Sequence, residues 1–249
     1  MLSASTSNKG KALVTGATSG IGKAVSLALA DKGYSVTALG RNEQALEELG
    51  GIKNIRPFAL DLSDSSALEA ALASEPIDVL VNNAGIMPPN IKFSDMEQAD
   101  IDCTIEVNLS AALRVTRLVL PGMIERKSGH LFFTGSTAGQ APFPNMAVYG
   151  ASKAAISSFA AALRCDLSGS NVRVTEIVAG RVETALYRDA LDEDDRERMY
   201  STFDAVQPEN VAEMLLTVLQ MPAHVDVTRF DILPTAQYVG GGGFAGKTG

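Results

Sequence analysis

Tyr149 and Lys153 stand four positions apart in the run Tyr149-Gly-Ala-Ser-Lys153, within a segment whose apolar residues recur at helical spacing. Both side chains therefore project from one helical face, a turn apart. A tyrosine hydroxyl ordinarily ionises near a pH of about 10, and an adjacent ammonium stabilises the phenolate, so Lys153 is expected to lower that value. The hydroxyl could then give a proton to a developing alkoxide or take one from an alcohol. Upstream, Thr134-Gly135-Ser136-Thr137 closes a β-rich run, where Ser136 could donate to a carbonyl oxygen. Alone, the Tyr-x-x-x-Lys spacing is that of an ordinary helix surface, and a turn serine satisfies local backbone. Together they point to proton transfer at a carbonyl or alcohol carbon.

A second cluster lies near the N-terminus. The first strand runs into Thr15-Gly16-Ala17-Thr18-Ser19-Gly20-Ile21-Gly22 and then a helical segment, which places small residues where backbone N–H groups would meet a pyrophosphate. Glycines at such a turn also permit tight packing, and their position after the first strand favours the binding reading. A carboxylate ending the second strand would bind the ribose hydroxyls of NAD, but this chain reads Leu39-Gly40-Arg41-Asn42. The acid is missing, and Arg41 offers a donor fork suited to a 2′-phosphate, so NADP(H) is favoured over NAD(H); the alternative is an ordinary surface arginine. Asp61, next to Leu62 at the end of the third strand, could hydrogen-bond an adenine amino group or cap the following turn.

These residues need a scaffold. Short apolar runs at Ala12 to Thr15, Ser35 to Leu39, Ile55 to Leu60, Val79 to Asn82, His130 to Thr134, Val172 to Val178 and Phe230 to Leu233 read as strands. Between them, Ile21 to Asp31, Glu43 to Leu49, Ala67 to Leu72, a long Ile101 to Arg126 and Ala147 to Leu167 read as helices. Strands apolar on both faces and joined by crossover helices predict an α/β fold, a single-domain doubly wound Rossmann sheet of seven parallel strands flanked by helices. One unbroken rhythm over 249 residues implies one catalytic domain spanning 1–249, with 1–10 and the glycine-rich 240–249 expected to be flexible. The acidic-basic run Asp192 to Arg198 reads as a solvated helix face, with a lid over 183–201 as the alternative.

With 46% hydrophobic residues the chain can bury its core without disulfides, and Cys103 and Cys165 show no framework or metal spacing. His130 and His224 have no ligand-spaced partner, so no metal is expected. The net charge of -8 argues against a nucleic-acid surface. The small polar start does not read as a signal peptide, and no apolar run is read as reaching transmembrane length, so a cytoplasmic protein with no membrane partner is expected.

The glycine motif at Gly16 to Gly22, Asn82-Asn83-Ala84-Gly85 after the fourth strand, Asn108 in the long helix, Ser136, and Tyr149 to Lys153 follow one another as in the classical short-chain dehydrogenases/reductases, which the chain resembles over nearly its whole length. The resemblance implies that Asn108 holds a water relaying protons through Lys153, which also grips the nicotinamide ribose. It implies that Asn83, Ala84 and Gly85 line the cofactor, that Gly180, Val182 and Thr184 contact its nicotinamide end, and that a homotetramer or homodimer forms through the two long helices. One departure stands out. Family members usually carry Pro-Gly after the sixth strand where this chain has Ala179-Gly180, so the loop lacks a backbone constraint. The ending Phe230 to Gln237 resembles a subgroup that includes serine/3-hydroxy acid and clavulanic acid dehydrogenases.

The expected activity is interconversion of a small ketone, aldehyde or semialdehyde with its alcohol or hydroxy acid. A β-ketoacyl thioester reductase and a non-catalytic NADP(H) sensor or scaffold are the alternatives. Phe143, Met146 and Leu186 could supply apolar surface to a pocket walled by 140–146 and the segment after Gly180, or simply pack in the core; Arg181 or Arg188 is placed to meet a substrate carboxylate, with an ordinary solvated arginine as the alternative.

Overall fold

Seven runs of β-branched and other apolar residues are too short for helices and too apolar for a surface, and they pair in parallel in the order β3-β2-β1-β4-β5-β6-β7. In this computed structural model, which describes residues 9–72, 76–187, 193–201 and 203–238, the strands are β1 (Lys11–Thr15), β2 (Ser35–Gly40), β3 (Ile55–Ala59), β4 (Val79–Asn82), β5 (Gly129–Ser136), β6 (Val172–Ala179) and β7 (Arg229–Ile232). The order reverses between β1 and β4, and ligands of doubly wound sheets bind beyond the strand ends at such a switch point. The strand β5 runs two residues beyond the expected Thr134 and so ends on Ser136.

Eight α-helices cover the sheet: α1 (Gly20–Asp31), α2 (Glu43–Gly50), α3 (Ser65–Leu72), α4 (Gln98–Ile105), α5 (Ala111–Arg126), α6 (Ala147–Asp166), α7 (Glu193–Ser201) and α8 (Pro208–Leu219), counted among the described residues. On one face, Val25 and Leu29 of α1 and Val211 and Leu215 of α8 pack with Val14 and Ile177. On the other, Val115 of α5 and Ile156 and Leu163 of α6 pack with Leu131, Phe133 and Val174. β1, β2, β4, β5 and β6 thus alternate their side chains into two apolar layers.

Three elements differ from expectation. The long helix is interrupted: Glu106–Ser110 forms a π turn between α4 and α5, a feature that keeps helical periodicity in the sequence and so leaves no signal there. The whole of Gln98–Arg126 is long and apolar enough to cross a membrane by length and composition, which corrects the expectation that no run reaches that length; its α5 part instead packs Val115 and Met123 into the core beside the sheet. Helix α8 was not expected. Pro208 at its first turn and the reciprocal Gln207–Asn210 capping box start it, and its buried Val211, Ala212, Leu215 and Val218 share one helical face. The run expected as a solvated helix face lies partly in α7, where Glu193, Asp194 and Glu197 are exposed; 188–192, with Arg188, and the ends 1–8 and 239–249 lie outside the described residues.

Candidate active site

The loop between β1 and α1 is held open by its own backbone and by the end of β4. Gly16 has φ +65, and a Cβ there would come within 2.8 Å of the Ala84 Cα. Thr15 Oγ1 accepts from the N–H groups of Asn83 and Ala84, both at 3.0 Å, while Asn83 Nδ2 donates to the carbonyls of Thr15 at 3.2 Å and Gly16 at 3.3 Å. Two strand ends are thereby locked together at the switch point. Gly16, Thr18, Ser19, Gly20 and Ile21 line a cleft of about 470 Å³ there, joined by Asn83, Ala84 and Gly85 from the β4 side. Gly22 sits behind the loop rather than in the cleft: a Cβ on it would collide with the Gly16 carbonyl oxygen, so its smallness serves helix-to-loop packing.

At the far end of this cleft lie Gly40, Arg41, Asp61 and Leu62. Arg41 is exposed, and no acid stands at the end of β2. Asp61 accepts from Ser63 N at 2.9 Å and Ser63 Oγ at 2.8 Å; these bonds, against slight burial, hold its carboxyl below the usual value, and Arg41 adds to the effect. Asp61 thus caps the turn while also lining the cleft. Glu106 lines it as well, and Arg114 joins Glu106 to the Leu62 carbonyl, a brace that no motif announces.

The opposite end gathers Ser136, Tyr149 and Lys153. Ser136 Oγ accepts from Ala138 N at 3.2 Å and lies near enough to the Tyr149 hydroxyl to lower its pKa. Lys153 Nζ donates to the Thr134 carbonyl at 2.8 Å and lies 5.7 Å from the Tyr149 ring centroid. Both side chains are buried, and burial decides their ionisation. It lifts the Tyr149 hydroxyl above its ordinary value, Tyr187 adding to this, against the weaker pull of Ser136 and Arg181. The expected lowering by Lys153 is reversed, because the ammonium is turned to Thr134 while the phenol has lost its water. Lys153 is itself drawn down to about 8 by burial, opposed by Glu176.

Asn108 lies in the π turn, where its Oδ1 accepts from Ile86 N at 2.7 Å and its Nδ2 donates to Ile86 O at 2.9 Å and Ser152 Oγ at 3.1 Å. It fastens the loop after β4 to α6.

Gly180, Val182 and Thr184 complete the cleft, with Leu186 and Tyr187. The constraint lost with the absent proline is supplied by hydrogen bonds: Gly180 N donates to Ile232 O at 2.9 Å, Arg181 N to Gln237 Oε1 at 2.8 Å, and Val206 N to Arg181 O at 3.1 Å. Beside this end lies a smaller pocket of about 220 Å³, lined by Phe143, Met146, Asn90 and Arg181 and sharing Met87 and Tyr187 with the main cleft. The Arg181 guanidinium stacks 4.8 Å from the Tyr187 ring centroid and hydrogen-bonds its hydroxyl. Tyr187 carries no motif, and only its nearness to the nicotinamide-end segment could have drawn attention to it.

The parallel seven-stranded sheet with this glycine loop and this Ser-Tyr-Lys corner is that of a dinucleotide-dependent oxidoreductase. Residues 10–195 match the short chain dehydrogenase family, and the chain belongs to it. It is 52% identical over 231 residues to a short-chain type dehydrogenase/reductase, y4eK, of Sinorhizobium fredii, covering 92% of this chain and 93% of that one. It is 38% identical to sulfoacetaldehyde reductase 2 of Chromohalobacter salexigens, covering 90% and 94%. Among solved structures, the closed form of serine dehydrogenase complexed with NADP+ superposes with a TM-score of 0.89 at 36% identity, covering 92% and 96%.

Proposed function

We propose that this chain is a single-domain NADP(H)-dependent reductase of small carbonyl compounds bearing an anionic head, run in reverse as a hydroxy acid or alcohol dehydrogenase. The observation that carries the reading is the convergence of Ser136, Tyr149 and Lys153 at the end of the cleft that begins at the Gly16 loop. The cleft fits a dinucleotide phosphate: its glycine loop leaves room only for backbone, and Arg41 replaces an acid beside it. NADP(H) bound there supplies or accepts the hydride. Ser136 donates to the substrate carbonyl oxygen, and Tyr149, protonated by virtue of its burial, gives that oxygen its proton. Lys153 keeps a positive charge beside the tyrosine and can hold the nicotinamide ribose. Gly180, Val182 and Thr184 wall the nicotinamide end.

Arg181 supports the anionic head: it stands over Tyr187 at the adjoining pocket and acts electrostatically on Tyr149, within reach of a carboxylate or sulfonate on a short substrate. The sulfoacetaldehyde and serine specificities of the relatives fit the same reading. Exposed Ala151, Ala154 and Ala161 on α6 suit close packing of a second copy, in keeping with a dimer or tetramer in the cytoplasm. The test is NADPH oxidation with short aldehydes and ketones, each with and without a carboxylate or sulfonate, by the natural chain and Arg181→Gln. A preference for the charged substrates that Arg181→Gln abolishes through KM supports the reading; equal turnover of neutral analogues by both proteins sinks the anionic part, and no NADPH oxidation sinks the whole.

A further inference from the structure

Among the described residues, Lys153 and Glu176 are the only buried lysine, arginine, aspartate or glutamate side chains, 4% and 5% exposed. They lie in one layer. Val172, Val174 and Glu176 alternate onto the face of β6 that α6 covers, where the two valines pack with Leu131, Phe133 and Ile156. Ser157, one helical turn after Lys153 on α6, donates to Glu176 Oε1. Strand β5 meets both charges: the Thr134 carbonyl accepts from Lys153 Nζ at 2.8 Å, and the next residue, Gly135, leaves the space that Glu176 fills, since a Cβ on it would collide with Oε1.

An apolar layer tolerates a carboxylate only when an opposite charge offsets its lost hydration, and one neutral serine donor does not do so. The cations facing it are few. Arg229 is its register neighbour on β7, but Arg229 is exposed and forks onto Asp231 with two contacts of 2.6 Å. From β5 come only Phe133 and Gly135; on α6 Arg164 shares the face of Lys153 and Ser157, but its guanidinium is taken up by the Val174 and Thr228 carbonyls and by Asp226 at 3.3 Å, which leaves Lys153.

We propose that Glu176 is a positioning residue for the reaction centre: lodged behind Gly135, its carboxylate is the fixed counter-charge that keeps buried Lys153 an ammonium beside Tyr149. The electrostatics agree in direction, since burial draws the Lys153 ammonium toward neutrality and Glu176 opposes it. The role in turnover rests on the proton-transfer reading above, whereas the pairing itself does not.

Two measurements on the full chain separate these. Glu176→Gln should move the alkaline limb of kcat/KM for NADPH-dependent reduction to lower pH by about one unit; an unmoved limb with only a lower Tm makes Glu176 merely structural and overturns the proposal. Independently of turnover, Lys153→Met strands the carboxylate, so adding Glu176→Gln to Lys153→Met should raise Tm above that of Lys153→Met alone. A further fall in Tm on adding it overturns the pairing, and this comparison holds even if Glu176→Gln alone does not fold. A raised Tm in this comparison, with no NADPH oxidation by the natural chain, would sustain the pairing while removing the proposed function.

Discussion

Lys153 Nζ and the Thr134 carbonyl oxygen meet at 2.8 Å, so the helix that carries Tyr149 is tied to the strand that ends in Ser136. The pH dependence of turnover follows from this arrangement. On the proposed mechanism, reduction requires Tyr149 protonated, which its raised pKa favours through neutrality and above it, and Lys153 charged, which holds below about 8. The sign is fixed: a lysine with a depressed pKa loses its charge as pH rises through that lower value. The value of kcat/KM for reduction should be level on the acid side and fall as pH rises through about 8. A rate that still climbs at a pH of about 9.5, where the ordinary lysine would remain charged, contradicts it.

Tyr149→Phe removes the transferable proton and leaves the cleft shape, because the ring stays buried against the same neighbours. We expect kcat to fall by about 10²–10⁴-fold with NADPH affinity nearly unchanged. Fluorescence titration of bound NADPH beside steady-state kinetics checks this; parallel loss of affinity and rate would mean that the hydroxyl holds cofactor rather than moving a proton.

The sheet was legible because its strands are covered on both faces: Leu13-Val14 and Leu80-Val81 are continuous apolar pairs, buried in full, that no surface could carry. The glycine loop was legible because Gly16 must adopt positive φ against Ala84. Spacing placed Tyr149 and Lys153 on one face but held no measure of burial, and burial reverses the sign of the tyrosine shift. Nor could it reveal that the Asn108 amide is taken up by Ile86, since the loop bearing Ile86 arrives from 22 positions away. Gln237, which substitutes for the constraint of the missing proline, is separated from Arg181 by 56 positions. Both are long-range contacts that only the closed fold creates.

Arg41 lines the cleft with no acid at the end of β2. If it reads the 2′-phosphate, Arg41→Ala removes a charge-assisted contact of about 1.5–3 kcal/mol, roughly ten- to hundredfold in the NADPH dissociation constant, and leaves NADH almost untouched. Calorimetric titration with both dinucleotides decides it, because equal weakening would assign Arg41 to loop structure.

His130 makes stability depend on pH far from the site. Thr175 Oγ1 donates to the Val227 carbonyl at 2.7 Å, so it must accept from His130 Nε2–H, also at 2.7 Å. That fixes the neutral tautomer, leaving Nδ1 buried without a hydrogen-bond partner, and the ring stacks on Phe132 with centroids 4.0 Å apart. Burial, with Arg173 adding to it, pushes the imidazole from 6.5 down to about 2. Above 6.5 neither the folded nor the unfolded chain protonates here; below it, the unfolded chain takes up a proton that the folded chain refuses until about 2, so stability declines as pH falls across that window. The slope approaches about 1.4 kcal/mol per pH unit, or about 2 kcal/mol between pH values of about 7 and 5. Carboxylates such as Asp61 and Asp64 ordinarily ionise near 3.8 and add little in that range. Urea unfolding at the two pH values, for the natural chain and His130→Phe, isolates the contribution: the phenylalanine can keep the stack on Phe132 and cannot titrate, so its stability should change less by about that amount. The same acid loss in both proteins would place the sensitivity elsewhere.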